Sequence, residues 1–383
     1  MIAFDRTMLD NTLLIESAED LKDGKFITND QFKAAKTVFP TLKTQRNIFI
    51  RIAFLLLGSF CYSSCTGVLA LIFFSAGDNA EALSVILALI GIAAAEMLAR
   101  NHFYAHGLDD AAIIGFLLAV GTAVSLITDS TALVLVGTGI ASAVCALRYL
   151  HTLSVIVTVG CIAGLIGYLT FEFHLIPEFY LTIVLFLFAV VLFLAHRTFI
   201  RHPSSGYYKW PLLALEFCSL LIGYFSVNYL VVRELAQDMM GFEVVPGGDI
   251  PMAGLFYILT FAIPILYLVF AVKTKNRLML WTGLFTFGFA IFTIRFYYHV
   301  IPTEWALVIG GIVLGISSLF VIRRLKGKES GITFEKDRMH DSKALSIAQA
   351  VIVNSHAIQN VPSKGPMEFG GGGFSGGGAG ENF

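Results

Sequence analysis

The chain has 383 residues, of which 56% are hydrophobic and 14% charged, and its mean hydropathy is +0.77. Soluble domains carry about 45–50% apolar and about 25% charged residues, so an ordinary soluble protein is excluded, as are a disulfide scaffold, a collagen-like chain and a wholly disordered one. The net charge of −1 and a pI near 6.8 give no case for nucleic acid, which needs a clustered basic surface.

Residues 1–46 are polar and read as a cytoplasmic helical hairpin. Its first helix runs over about 7–23 and stops at Gly24, a usual residue just past a helix end. The second starts near Thr28. Thr28 and Gln31 have capping-box spacing, in which the hydroxyl takes an orphan N–H and the Gln reaches back. Phe32, Ala35 and Phe39 then share one face, and Pro40 ends the helix. The hairpin either packs on the first loop or binds a partner. No cleavable signal peptide is expected, because Asp5, Asp10 and Glu16 replace a basic leader region.

A transmembrane helix needs about 20 mostly apolar residues. About ten segments qualify: 48–76, 82–99, 110–127, 131–148, 152–171, 179–196, 211–232, 252–272, 278–297 and 304–322. The fold class is therefore all-α, a polytopic transmembrane helix bundle occupying 47–324. Continuous apolar runs exclude the alternating strands of a barrel.

Alternate loops differ in charge. One set carries Lys43, Arg46 and Arg51, then Arg100, Arg148, Arg197, Arg201, Lys209, Lys273, Lys275, Arg277, Arg323, Arg324, Lys326 and Lys328. The other carries Asp78, Glu81, Asp129, Glu172, Glu178, Glu234, Asp238, Glu243, Asp249 and Glu304, with Arg233 and Arg295 its only basic residues. Lys and Arg near span ends are retained on the cytoplasmic side, which places both termini inside. Asp109 and Asp110 fall in an inner loop, but acidic residues weigh little in this rule.

Residues 21–40, "LKDGKFITNDQFKAAKTVFP", are followed closely by "RIAFLLLGSFCYSSCTGVLALIFF" over 51–74. Gly24, Ile27, Thr28, Gln31 and Gly58 match a short N-terminal helical motif and a Gly-containing first span. In these first 75 or so residues the chain resembles bacterial polytopic membrane proteins of the domain-of-unknown-function 2157 family. That family's Asn-Trp pair after the first span is missing here, where the stretch reads Ser75-Ala76-Gly77-Asp78-Asn79-Ala80. The resemblance implies a multi-pass protein of the bacterial cytoplasmic (inner) membrane, and it implies no reaction.

Residues 325–364 form a cytoplasmic segment, with an amphipathic helix over 340–359 that places Leu345, Ala348 and Ile352 on one side. Residues 365–383, "GPMEFGGGGFSGGGAGENF", read as flexible coil. Phe369, Phe374 and Phe383 are surplus in a pure spacer, so the tail is either a low-complexity ending or a docking peptide. A glycine-rich ending with spaced aromatics resembles the tails of some TPM-domain envelope proteins.

Ionisable residues inside spans cost about 2.5–3.5 kcal/mol each at mid-membrane on insertion scales and are the default functional candidates. Glu96 and Arg100 are spaced i,i+4 and can neutralise each other. Glu216 lies one and a half turns inside the seventh span with no basic residue within a turn, a candidate for a proton or substrate. Arg295 lies near the outer end of the ninth span, placed to meet Glu172, Glu178 or Glu304, or to contact an anion. His102 and His106 have metal-ligand spacing, but Gly107 interrupts the helix they would need. His151, His174, His196, His202 and His299 read as interfacial. Cys61, Cys65, Cys145, Cys161 and Cys218 read as apolar fillers. Gly160/Gly164 and Gly311/Gly315 read as close-packing pairs, and Pro264 as a kink site.

No nucleophile–base set, cofactor loop or metal motif is visible, so no catalytic, cofactor-binding or metal residue is assigned and an enzyme is the least favoured class. The favoured class is a scaffold or assembly partner in the lipid bilayer, binding a protein through its cytoplasmic hairpin or Gly-rich tail. The alternative is a secondary transporter with a site near Glu216 and Arg295.

Overall fold

A computed structural model describes residues 2–75, 79–175, 177, 180–238, 249–250, 252–298 and 303–326. The amphipathic segment 340–359 and the tail phenylalanines Phe369, Phe374 and Phe383 lie outside these residues. Among the described residues the chain is helical, with a single isolated bridge between Lys43 and Phe103.

The helices are α1 (Arg6–Asp23), α2 (Asn29–Val38), α3 (Ile48–Ser75), α4 (Ala80–Arg100), α5 (Leu108–Thr128), α6 (Thr131–Tyr149) and α7 (Thr152–Phe171). They continue as α8 (Leu181–Phe199), α9 (Lys209–Phe225), α10 (Tyr229–Asp238), α11 (Ala253–Thr274), α12 (Arg277–Tyr298) and α13 (Thr303–Leu325). Eight are long and apolar enough to cross a bilayer: α3 to α8, α11 and α12. α9 and α10 reach that length only together, and they meet at 66°, which makes nine if the pair is one span. α13 stands where the tenth expected span falls.

The seventh span, expected as one continuous helix over 211–232, is broken at residues 226–228. Asn228 is the cause. Its Oδ1 accepts from the N–H groups of Leu230 (3.1 Å) and Val231 (3.3 Å), which caps a new helix in place of continuing the old one. The freed N–H of Tyr229 donates to Thr260 Oγ1 of α11 at 2.9 Å. Backbone released within a membrane is tolerated only when protein groups satisfy it in this way. Pro264, read as the kink site, sits inside an unbroken α11.

The described chain divides into two units, residues 2–10 with 42–326, and residues 11–41. The smaller has its own core of Ile15, Ala18, Leu21, Ile27 and Ala35, with Phe32 and Phe39 packed against it. The Thr28–Gln31 capping box is present in both directions. Asn11 closes the unit by donating to the Pro40 carbonyl at 3.0 Å. In the larger unit, residues 2–10 are tied to the ends of membrane helices. Ala3 N donates to Arg148 O at 2.9 Å, and Tyr207 gives its hydroxyl to Asp10 at 2.6 Å, a bond that holds the phenol above its ordinary pKa. The smaller unit thus spans 11–41 among the described residues.

Within the larger unit α4 packs on α5, α6 on α7, α8 on α9 and α11 on α12, while α9 also meets α7 and α12. Gly91 sets the closest approach of α4 and α5, since a Cβ there would lie 2.8 Å from the Phe116 backbone. The expected glycine pairs are not where helices close. Gly160, Gly311 and Gly315 face open space among the described residues, and Gly164 meets only Leu135.

Candidate functional site

Three carboxylates near helix ends are each held by side chains from elsewhere in the bundle. Glu96 of α4 receives a bidentate fork from Arg148 of α6, with Nε at 3.1 Å and Nη2 at 2.8 Å, and a third bond from Tyr149 at 3.1 Å. The expected partner, Arg100, is secondary: its Nε lies 3.5 Å away and its side chain is 77% exposed. Arg148 wins because a planar fork matches a carboxylate at both oxygens.

Asp109 and Asp110, read as a loop, form the buried first turn of α5, where the helix dipole favours negative charge. Asp109 Oδ1 accepts from His106 N and Gly107 N, both at 2.9 Å. Gly107 has φ +108° with the Arg51 carbonyl 2.3 Å from where a Cβ would sit, so only glycine fits. Asp110 is gripped by Arg51 of α3, with Nε at 2.7 Å and Nη2 at 3.0 Å. His102 and His106 lie in the connection between α4 and α5, and no group of three or more metal-ligating side chains occurs among the described residues.

Asp110 also lies 3.2 Å from His151 Nε2, and His151 Nδ1 lies 2.7 Å from Ser154 Oγ. An acid, an imidazole and a serine thus follow one another. The arrangement is a helix cap. His151 Nδ1 accepts the Ser154 backbone N–H at 3.2 Å, starting α7, and the Ser154 side chain is fully buried. Because Nδ1 accepts, the ring hydrogen sits on Nε2, which lies near Asp110 without a hydrogen bond of good geometry.

Glu216 of α9 is 3% exposed. Its Oε1 accepts from Asn276 Nδ2 at 2.5 Å, and its Oε2 lies 3.6 Å from Nε2 of His196, on α8, itself 4% exposed. His196 is therefore a core residue and not interfacial. Asn276 serves twice, since its Oδ1 caps α12 through Met279 N at 3.1 Å. The sequence hid both partners, which come from neighbouring helices and not from the turn next to Glu216.

Arg295 does not join Glu216. It is in the last turn of α12, about 27 Å of helix from Arg277 beside Asn276. Near that far end the structure assembles residues the sequence did not single out. Arg233 Nη1 donates to Tyr229 OH at 2.8 Å and stacks 4.5 Å over the Tyr297 ring. Tyr229 donates to Asp249 at 2.5 Å, and Tyr297 to Glu234. Between the two ends lies the helix break, where buried Asn228 donates to Tyr224 OH (2.8 Å) and Thr293 Oγ1 (3.1 Å).

No family model, curated protein or solved structure matches the chain.

Proposed function

We propose that the protein is a ten-span integral membrane protein of a bacterial cytoplasmic membrane, a relative of the domain-of-unknown-function 2157 proteins, that acts as an assembly partner. Both termini lie in the cytoplasm. Arg148, which holds Glu96, and Arg51, which holds Asp110, belong to the loops that the positive-inside rule places there. The observation that carries the assembly reading is the hairpin, residues 11–41, which has its own core and its own cap and so can present a surface to a partner. The tail with Phe369, Phe374 and Phe383 is the second docking segment of this reading. Affinity purification from native membranes tests it. Removing residues 11–41 or 365–383 should lose a co-purifying protein, and an unchanged partner set from both deletions contradicts the reading.

The break between α9 and α10 favours a second reading, a secondary transporter. Broken helices lined by polar side chains form substrate and ion sites in carriers, and here Asn228, Thr260 and Thr293 line the break. Glu216 and Arg295 would then serve opposite ends of a path and not one site. Flux into proteoliposomes that is unchanged in Asn228→Ala and Glu216→Gln would reject it.

A further inference from the structure

Two of the three carboxylates held between helices are tied to guanidinium groups, which keep their charge at any physiological pH. The third, Glu216, is tied to an imidazole, which does not. Position of the His196 proton makes this difference consequential. His196 Nδ1 lies 3.0 Å from the Leu212 carbonyl oxygen. A carbonyl only accepts, so Nδ1 carries a hydrogen. A neutral His196 therefore turns a bare lone pair on Nε2 toward Glu216 Oε2. An ionised Glu216 facing that lone pair would be a buried charge against a buried acceptor with no proton between them, an arrangement that costs heavily between two buried residues. His151 is the contrasting case, because its Nδ1 accepts, which leaves the hydrogen on Nε2, the nitrogen 3.2 Å from Asp110.

We propose that Glu216 and His196 form a one-proton site. The proton lies either on Nε2, as imidazolium beside carboxylate, or on Oε2, as carboxylic acid beside neutral imidazole. Asn276 occupies Oε1, so exchange is confined to the oxygen that faces His196. The same Asn276 caps α12, which links the site to three helices: α8, α9 and α12. Other groups near the pair are few. Arg197 on α8, Lys209 on α9, Lys273 on α11, and Lys275 and Arg277 beside Asn276 are exposed, while α7 has no charged residue. Cys218 on α9 is buried, and Tyr267 of α11 gives its hydroxyl to the Leu220 carbonyl at 3.1 Å.

This site deepens the transporter reading by naming the proton as the coupling ion, yet it does not require transport. The test is spectroscopic and uses the full chain in lipid nanodiscs. ¹⁵N-histidine magnetic resonance reports the protonation of His196, assigned by the signal lost in His196→Asn. Infrared spectroscopy reports a carboxylic-acid band assigned by its loss in Glu216→Gln. At neutral pH the proposal expects an imidazolium at His196 with no Glu216 acid band, or a neutral His196 protonated on Nδ1 with that band. In Glu216→Gln it expects a neutral His196. A neutral His196 with no Glu216 acid band, a proton on Nε2 alone, or an imidazolium that persists in Glu216→Gln overturns it. Where His196→Asn fails to fold, the histidine signal that shifts in Glu216→Gln identifies His196, and where Glu216→Gln fails, the acid band that shifts in His196→Asn identifies Glu216, so an ionised Glu216 beside a neutral imidazole remains the overturning result. Absent flux with a one-proton spectrum rejects transport and keeps the site.

Discussion

Arg51 at the start of α3 and Asp110 in the first turn of α5 are 59 residues apart and form a two-bond fork at 2.7 and 3.0 Å. Asp110 is buried, so the pair fixes α3 to the bundle at one end. Elsewhere α3 is poorly covered: none of its apolar window is buried, whereas more than a third of those of α4 and α5 is.

Removing one side of that pair leaves an uncompensated buried carboxylate. Arg51→Ala should destabilise the protein by about 3 kcal/mol, the low end for a broken buried pair because His151 still faces Asp110. Arg51→Lys should recover only part, since an ammonium cannot fork. Thermal unfolding of the detergent-solubilised chain checks this, and a wild-type melting curve for Arg51→Ala would contradict it.

Asn228 satisfies the break between α9 and α10. Asn228→Ala should cost about 1–2 kcal/mol by uncapping α10 and stranding the Leu230 and Val231 donors. Hydrogen exchange should speed up over 229–232 and stay unchanged in α4. Equal protection in variant and wild type would show that the cap does not hold the bend.

Glycine positions separate real helix contacts from sequence look-alikes. Gly91→Ala must push Phe116 and should cost about 1–3 kcal/mol, while Gly160→Ala meets open space and should be near neutral. The reverse order of stabilities would contradict the α4–α5 contact.

The hairpin makes a local prediction. Thr28→Ala removes the hydroxyl that accepts Gln31 N and should cost α2 about 1 kcal/mol. The readout is faster amide exchange over 29–35 in the full chain. Unchanged exchange would mean that the cap contributes nothing.

Helix positions were legible because apolar runs of span length punctuated by charged loops have few other solutions. The Thr28 cap was legible because it depends on residues three apart. Side-chain partners were not. Glu96 looked paired with Arg100 at i,i+4, but the preferred partner, Arg148, is 52 residues away on another helix. Which face of α4 meets α6 depends on rotation about the helix axis, and spans that are apolar all round carry little signal for it. His196 was hidden for the same reason. The break at Asn228 did leave a trace, since Ser226 and Asn228 fall two residues apart in a mostly apolar run, yet a segment of span length outweighed them.

The assembly reading depends on whether the hairpin touches another protein in the membrane where it works. A photo-crosslinking residue placed at Phe26, which is 49% exposed, reports this directly in intact cells. The account predicts a discrete crosslinked product with a second protein, lost when the crosslinker is moved to buried Leu21. An absence of any protein crosslink from Phe26, with the full chain present in the membrane, would contradict it.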